Sequence, residues 1–171
     1  FAAIGVPMAP TVILSDPSAA LDTDMTFPVA AKVLSPDLPH KTEAGAVALN
    51  ISDRAALKDQ AQIIWDAAHA HAPDARLDGI LVQPMVSGLA EVLVGYRRDP
   101  ETGPVVVLGI GGVLAEIYGD ATVRPAPVDT ATAREMINEV RGLAPIRGYR
   151  NMPKGDLDAL AGAVAAVSRL A

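Results

Sequence analysis

The segment Ser35-Pro36-Asp37-Leu38-Pro39-His40-Lys41-Thr42-Glu43-Ala44-Gly45 sets a histidine, a lysine and two carboxylates between two apolar runs. Imidazole is well populated in its neutral form near neutral pH and is then a nucleophile toward phosphorus. An ammonium beside it neutralises the oxygens of a group in transfer. His40 and Lys41 are therefore the candidate catalytic pair, although the segment taken alone fits a solvated loop histidine slightly better. Lys32 is the one charge in the run from Phe27 to Leu34. An ammonium in such a strand either snorkels to solvent or meets an anion, for which nucleotide phosphates would serve. Considered alone, Lys32 fits an exposed strand face. The third constellation is the run from Val105 to Glu116, in which a strand opens into glycines at 109, 111 and 112. Closely set glycines let the backbone approach a ligand or another backbone. Glu116 and Asp120 follow, suited to a phosphate or metal and equally to a helix face and a turn. A dinucleotide fingerprint would want a glycine where Leu114 stands, and neither a P-loop lysine nor a Gly-x-Ser-x-Gly elbow occurs. His69 and His71 are two apart and share no helix face, so they read as solvent-side or helix-end charges rather than metal ligands.

The surrounding pattern supplies the elements that position these residues. Val12 to Leu14, Phe27 to Leu34, Val47 to Ile51, Ile80 to Val82, Val92 to Val94 and Val105 to Leu108 read as strands. The prolines at 36 and 39 force the chain out of the sheet before His40. Ser52 is the expected N-cap of a helix running to about His71, with Asp53 in its first turn and Leu57, Ala61, Ile64 and Ala68 on its apolar face. Two further helices follow Asp129-Thr130 and Asp156. The mixed order of strands and helices predicts an α+β or α/β domain with at least one antiparallel pair.

Composition narrows the function classes. The chain has 171 residues, half of them apolar, enough for one compact domain or two small lobes. A net charge of −6 argues against a nucleic-acid surface, while the absence of cysteine removes disulfides, thiolate catalysis and cysteine-based zinc sites. The most apolar runs fall short of the roughly 18 residues that a membrane span needs. A soluble, cytoplasmic protein without a membrane partner is expected. The chain does not begin with Met, so it is expected to be a fragment of something longer.

Taken together and in order, these segments resemble the ATP-grasp domain of the ADP-forming acetyl-CoA and acyl-CoA synthetases, relatives of the succinyl-CoA synthetase β subunit. Gly5-Val6-Pro7 resembles the family's opening, Phe27 to Val33 its lysine strand, and Ser35 to Thr42 its histidine loop. Val82 to Val86 with Glu91 resembles the nucleotide hinge. Asp99-Pro100, Gly103-Pro104, Gly109 to Gly112 and Glu116 resemble the central block. Gly148-Tyr149-Arg150 and Gly155-Asp156 resemble the late segment.

The resemblance implies an ATP-grasp fold over residues 1–171, two lobes with mixed sheets around a nucleotide cleft, Lys32 and Met85 lining it. ATP or ADP with Mg²⁺ would be the cofactor. Lys32 would contact phosphates, Gln83, Met85 and Val86 would run along the adenine, and Glu91 would lie toward the ribose. Gly111 and Gly112 would let backbone approach the nucleotide. His40 would accept a phosphoryl group from a partner-domain histidine and deliver it to ADP. The implied partner is the CoA-binding, acyl-phosphate domain or subunit of the same synthetase. Two departures stand out. Gly45-Ala46 replaces a glycine pair, a change expected to stiffen the loop. The chain also ends at Ala171, before the family's metal-binding Asp-x-Asn-Pro strand, so the metal ligands stay unassigned. A lobe without that strand is expected to expose an edge or apolar surface and to assemble with another chain or domain. Two alternatives stay open: a non-catalytic, ligand-sensing synthetase-like domain of a protein lysine acetyltransferase, and an ATP-grasp ligase forming acyl phosphates.

Overall fold

A computed structural model describes residues 2–22, 25–113 and 115–170. It divides into two compact units, one of Ala9–Val86 and one of Phe1–Met8 with Ser87–Ala171. The fingerprint position Leu114 lies outside the described residues.

The first unit is a four-stranded sheet covered by one helix. Strands β1 (Val12–Leu14), β2 (Val29–Leu34), β3 (Val47–Ile51) and β4 (Gly79–Pro84) lie in the order β1-β4-β2-β3. Helix α1 (Arg54–His71) presents Leu57, Ala61, Ile64 and Ala68, all buried, at helical spacing. They pack in one core with Val29, Ala31 and Val33 of β2 and Ile80 and Val82 of β4. Full burial of each large aliphatic side chain contributes about 1.5–3 kcal/mol. Strand period then decides the fate of Lys32: with Ala31 and Val33 turned inward, the residue between them must face outward. Beside it, β2 and β3 pair Ala31 with Ala48 but Val29 with Ile51. The extra residue is absorbed near Asn50, whose φ of 55° is one that asparagine tolerates.

The second unit is a meander of β5 (Val92–Asp99), β6 (Gly103–Ile110) and β7 (Ala121–Pro125), with short α2 (Ala115–Tyr118) between the last two. Helices α3 (Thr130–Glu139) and α4 (Leu157–Ser168) close its core. There Val106 and Leu108 meet Met136, Ile137, Val140 and Val164. The hairpin between β5 and β6 turns on Asp99, whose carboxylate accepts from the backbone N–H groups of Glu101 and Thr102 at 3.1 and 3.0 Å.

Two expectations need correction, and one strand had no counterpart in the sequence reading. The sheets are not mixed, since every described pairing is antiparallel. The cap of α1 is Asp53, which accepts from Ala56 N at 2.9 Å, while Ser52 donates its hydroxyl to the Asp53 carboxylate. An aspartate carries two acceptor oxygens and can serve both donors. Strand β7 lacked a sequence signal because its one large aliphatic residue, Val123, is half exposed and Arg124 and Pro125 follow it.

Candidate functional site

The loop after β2 is held at its base and open at its crown. Leu38 and Ala44 are buried as plugs, and Ala46 is fully buried. Ala46 N donates to Lys41 O at 2.9 Å, and Ala46 O accepts from Val33 N at 3.0 Å. The Asp37 carboxylate accepts from Arg76 N at 2.8 Å, tying the loop to the approach of β4. The departure at Ala46 thus puts a methyl group into the core and fixes the loop's return. Between the plugs, Pro39, His40, Thr42 and Glu43 are exposed.

A hollow of about 480 Å³ opens at this crown, lined by Lys32, Pro39, His40, Lys41, Thr42, Glu43 and Val47. The outward face of β2 delivers Lys32 to it, so three of the candidate residues share one space. Their engagement differs. The Lys41 ammonium, half-buried, donates to Leu38 O at 2.8 Å and to Ser35 O at 3.4 Å. Lys32 is exposed and has no hydrogen-bond or ion-pair partner among the described residues.

The candidate hinge lies on the same sheet, outside that hollow. Lys32 faces Leu81 in register, and Gln83 faces Ala30. Met85 is four residues beyond Leu81, about 13 Å by strand rise. Gln83 donates its amide to the Thr11 hydroxyl at 2.8 Å. Met85 N donates to Pro28 O at 2.9 Å, and its sulfur accepts from Asn50 N at 3.1 Å. Val86 is 80 % exposed.

In the second unit, Glu91 meets the glycine turn directly. Gly111 N donates to Glu91 O at 2.8 Å. A Cβ at Gly111 would stand 3.0 Å from Glu91 Cβ, and one at Gly112 would stand 3.1 Å from Glu91 Oε2. The φ of 89° at Gly112 also suits glycine. Of the two acids beyond, Glu116 is exposed. Asp120 is committed to structure, its carboxylate accepting from Arg141 N at 3.2 Å and Gly142 N at 2.5 Å. A second hollow of about 510 Å³ lies beside it, between Ile110, Tyr118, Gly119, Arg141 and Gly142. Arg147 was invisible in the sequence, yet its guanidinium donates to Ile137 O at 2.6 Å and Val140 O at 2.9 Å, closing the end of α3. His69 and His71 are exposed at the end of α1, as expected. Among the described residues no three His, Asp or Glu side chains converge to hold a metal ion. No helix among them is long and apolar enough to cross a membrane.

A family model described as ATP-grasp domain matches residues 1–171. The chain is 38 % identical over 170 residues to the ADP-forming acetate–CoA ligase I of Archaeoglobus fulgidus, covering 98 % of this chain and 25 % of that protein. It is 35 % identical over 147 residues to the β subunit of the ADP-forming acetate–CoA ligase II of Pyrococcus furiosus, covering 86 % of this chain and 62 % of that subunit. The chain thus spans a quarter to under two thirds of these relatives. Among solved structures, the dinucleotide-forming acetyl-coenzyme A synthetase 1 of Ca. Korarchaeum cryptofilum, in complex with coenzyme A, Ca-AMPCP and HgCl⁺, matches with a TM-score of 0.90. It is 30 % identical, over 99 % of this chain and 75 % of that one. A structure of the same protein with coenzyme A and Mg-AMPPCP has its phosphohistidine segment pointing towards the nucleotide-binding site. It matches at a TM-score of 0.78 and 27 % identity, over 99 % of this chain and 73 % of that one. With the fold and the order of its motifs in agreement, the chain belongs to the ATP-grasp domain family, in the branch represented by the ADP-forming acyl-CoA synthetases.

Proposed function

We propose that this chain is the nucleotide-binding, phosphoryl-transferring module of an ADP-forming acyl-CoA synthetase, with His40 as its phosphoryl carrier. The whole reaction converts acyl-CoA, ADP and phosphate to acid, ATP and CoA, reversibly. The observation that carries the reading is the exposed imidazole of His40 sharing one hollow with Lys32 and Lys41. The phosphohistidine segment of the Korarchaeum synthetase supports it.

A nitrogen of the His40 imidazole attacks the phosphorus of a phosphohistidine on the partner domain. A new P–N bond forms as the old one breaks, and the electron pair returns to the partner's imidazole. A β-phosphate oxygen of ADP then attacks the same phosphorus. The P–N bond to His40 breaks, its pair returns to the ring, and ATP leaves. Both steps depend on positioning and charge neutralisation more than on covalent machinery. Lys32 supplies an ammonium with no other partner among the described residues. Gln83, Met85 and Val86 serve the adenine, while Glu91, Gly111 and Gly112 serve the ribose side and backbone approach. The partner is the CoA-binding domain or subunit, in line with the separate β subunit of the Pyrococcus relative. Magnesium accompanies the nucleotide in one neighbour. No converging donor set for it stands among the described residues.

The test is to incubate the intact synthetase, partner domain included, with acyl phosphate or ATP and map phosphohistidine by mass spectrometry. Phosphate on His40 is expected. Label confined to the partner's histidine would reduce the module to a nucleotide-binding scaffold.

A further inference from the structure

Lys41 stands beside the carrier histidine, yet its ammonium points back into its own loop. Its acceptors are Leu38 O at 2.8 Å and Ser35 O at 3.4 Å, the two carbonyls that bracket the first turn of the loop. The rest of the base is held by other means: the plugs Leu38 and Ala44, the fully buried Ala46, and the bond from Arg76 N to Asp37. Lys41 is therefore the side-chain tie, among the described residues, that runs from the crown back to the base.

We propose that Lys41 is a positioning residue acting as a latch that phosphorylation of His40 releases. In the unphosphorylated loop the ammonium braces Ser35 and Leu38 and holds the crown against the hollow. A phosphoryl group on the neighbouring ring brings charged oxygens within reach of the same ammonium. The present bonds join the ammonium to neutral carbonyls, whereas a phosphoryl group offers it a full opposite charge, and that ion pair is the stronger of the two. The ammonium moves to the phosphoryl group, the two carbonyls lose their donor, and the crown from Pro39 to Glu43 pivots between the Leu38 and Ala44 plugs. The loop is thus held until it is loaded and freed once it is. Lys32, unengaged and on a rigid strand, meets the incoming group while Lys41 is still tied. The release deepens the carrier reading above and rests on it.

The experiment is amide hydrogen exchange over residues 35–46 of the full synthetase, with and without acyl phosphate, in wild type, Lys41→Gln and Lys41→Arg. Loss of a bond from a charged donor to a backbone carbonyl is expected to speed local exchange roughly tenfold. Phosphorylated wild type and unphosphorylated Lys41→Gln should therefore exchange alike, and phosphorylation should add nothing further in Lys41→Gln. Lys41→Arg, which keeps a charged donor, should stay within about twofold of unphosphorylated wild type. A merely structural lysine would give no such loss of phosphorylation dependence. The latch is overturned if Lys41→Gln exchanges like wild type, if Lys41→Arg loosens as much as Lys41→Gln, or if His40 carries phosphate with no change in exchange. Absence of phosphate on wild-type His40 overturns the carrier reading and the release with it, while unphosphorylated Lys41→Gln still reports whether the brace exists.

Discussion

The Ser35–Ala46 loop follows the end of β2, the Gly109–Gly112 segment carries the end of β6 into its turn, and they are built in opposite ways. In the loop, a few buried side chains and one ammonium hold the base while the crown that carries His40 stays exposed. At the end of β6, side chains are absent where the neighbouring chain crowds in: a Cβ at Gly109 would meet Ala121 Cβ at 2.9 Å and Asp120 O at 3.1 Å, and one at Gly111 would meet Glu91 Cβ at 3.0 Å. The loop can change conformation because its crown fills no core position. Gly109 and Gly111 cannot take a side chain without displacement, because Ala121 and Glu91 already fill the space a Cβ would need. A carrier needs the first construction, and a surface approached closely by a ligand needs the second.

The largest effect separates chemistry from scaffold. His40→Ala in the intact synthetase should lower ADP-dependent ATP formation by about a thousandfold or more, since nothing replaces a lost nucleophile. The unfolding midpoint should hardly move, because the side chain is exposed. ATP formation at the wild-type rate would break the comparison at its functional end. Next comes the plug. Leu38→Ala should cost the fold about 2–4 kcal/mol in denaturant unfolding, as a large-to-small change at a side chain only 4 % exposed. A loss below about 0.5 kcal/mol would mean that the loop base is not anchored by burial. The glycine turn gives a smaller, steric effect. Gly109→Ala should cost about 1–3 kcal/mol, while Gly162→Ala in α4, where a Cβ meets nothing within 4 Å, should stabilise by about 0.5–1 kcal/mol. Equal outcomes for the two glycines would remove the crowding argument.

The smallest effect is one the two units should share. Asp53 caps α1 and Asp129 caps α3, and each carboxylate is held below the ordinary aspartate value of 3.8, chiefly by the backbone N–H of Ala56 and Thr132 respectively. A lowered folded pKa means that the stabilisation is complete above 3.8. As pH falls below that, the unfolded chain binds protons first, and the contribution is gone once pH passes the lower folded value. Unfolding midpoints followed from pH 6 to pH 2 should therefore decline on the acid side, and Asp53→Asn with Asp129→Asn should flatten that decline. An unchanged slope in the double variant would assign the acid sensitivity to other carboxylates, such as Asp16, Asp99 and Glu139.

Much of this molecule was legible because it is written in local periods. The alternation of Val29, Ala31 and Val33 dictated that Lys32 faces out, and the spacing of Leu57, Ala61, Ile64 and Ala68 dictated the buried face of α1. Two helices begin after Asp129 and Asp156 as expected, and the two carboxylates cap them, accepting from Thr132 N and Ala159 N. Burial and period are properties of neighbours along the chain, so residue types alone express them. Tertiary structure decided the rest. Asp120 suited a phosphate or metal and a turn equally, and the fold commits it to backbone N–H groups 21 and 22 residues away. Asp37 serves an N–H 39 residues away. Lys32 and Lys41 carry the same charge in the same hollow, yet one is unengaged among the described residues and the other is tied to carbonyls. A polar side chain's role depends on which donors and acceptors the folded backbone brings within about 3 Å, and no spacing along the chain encodes that meeting.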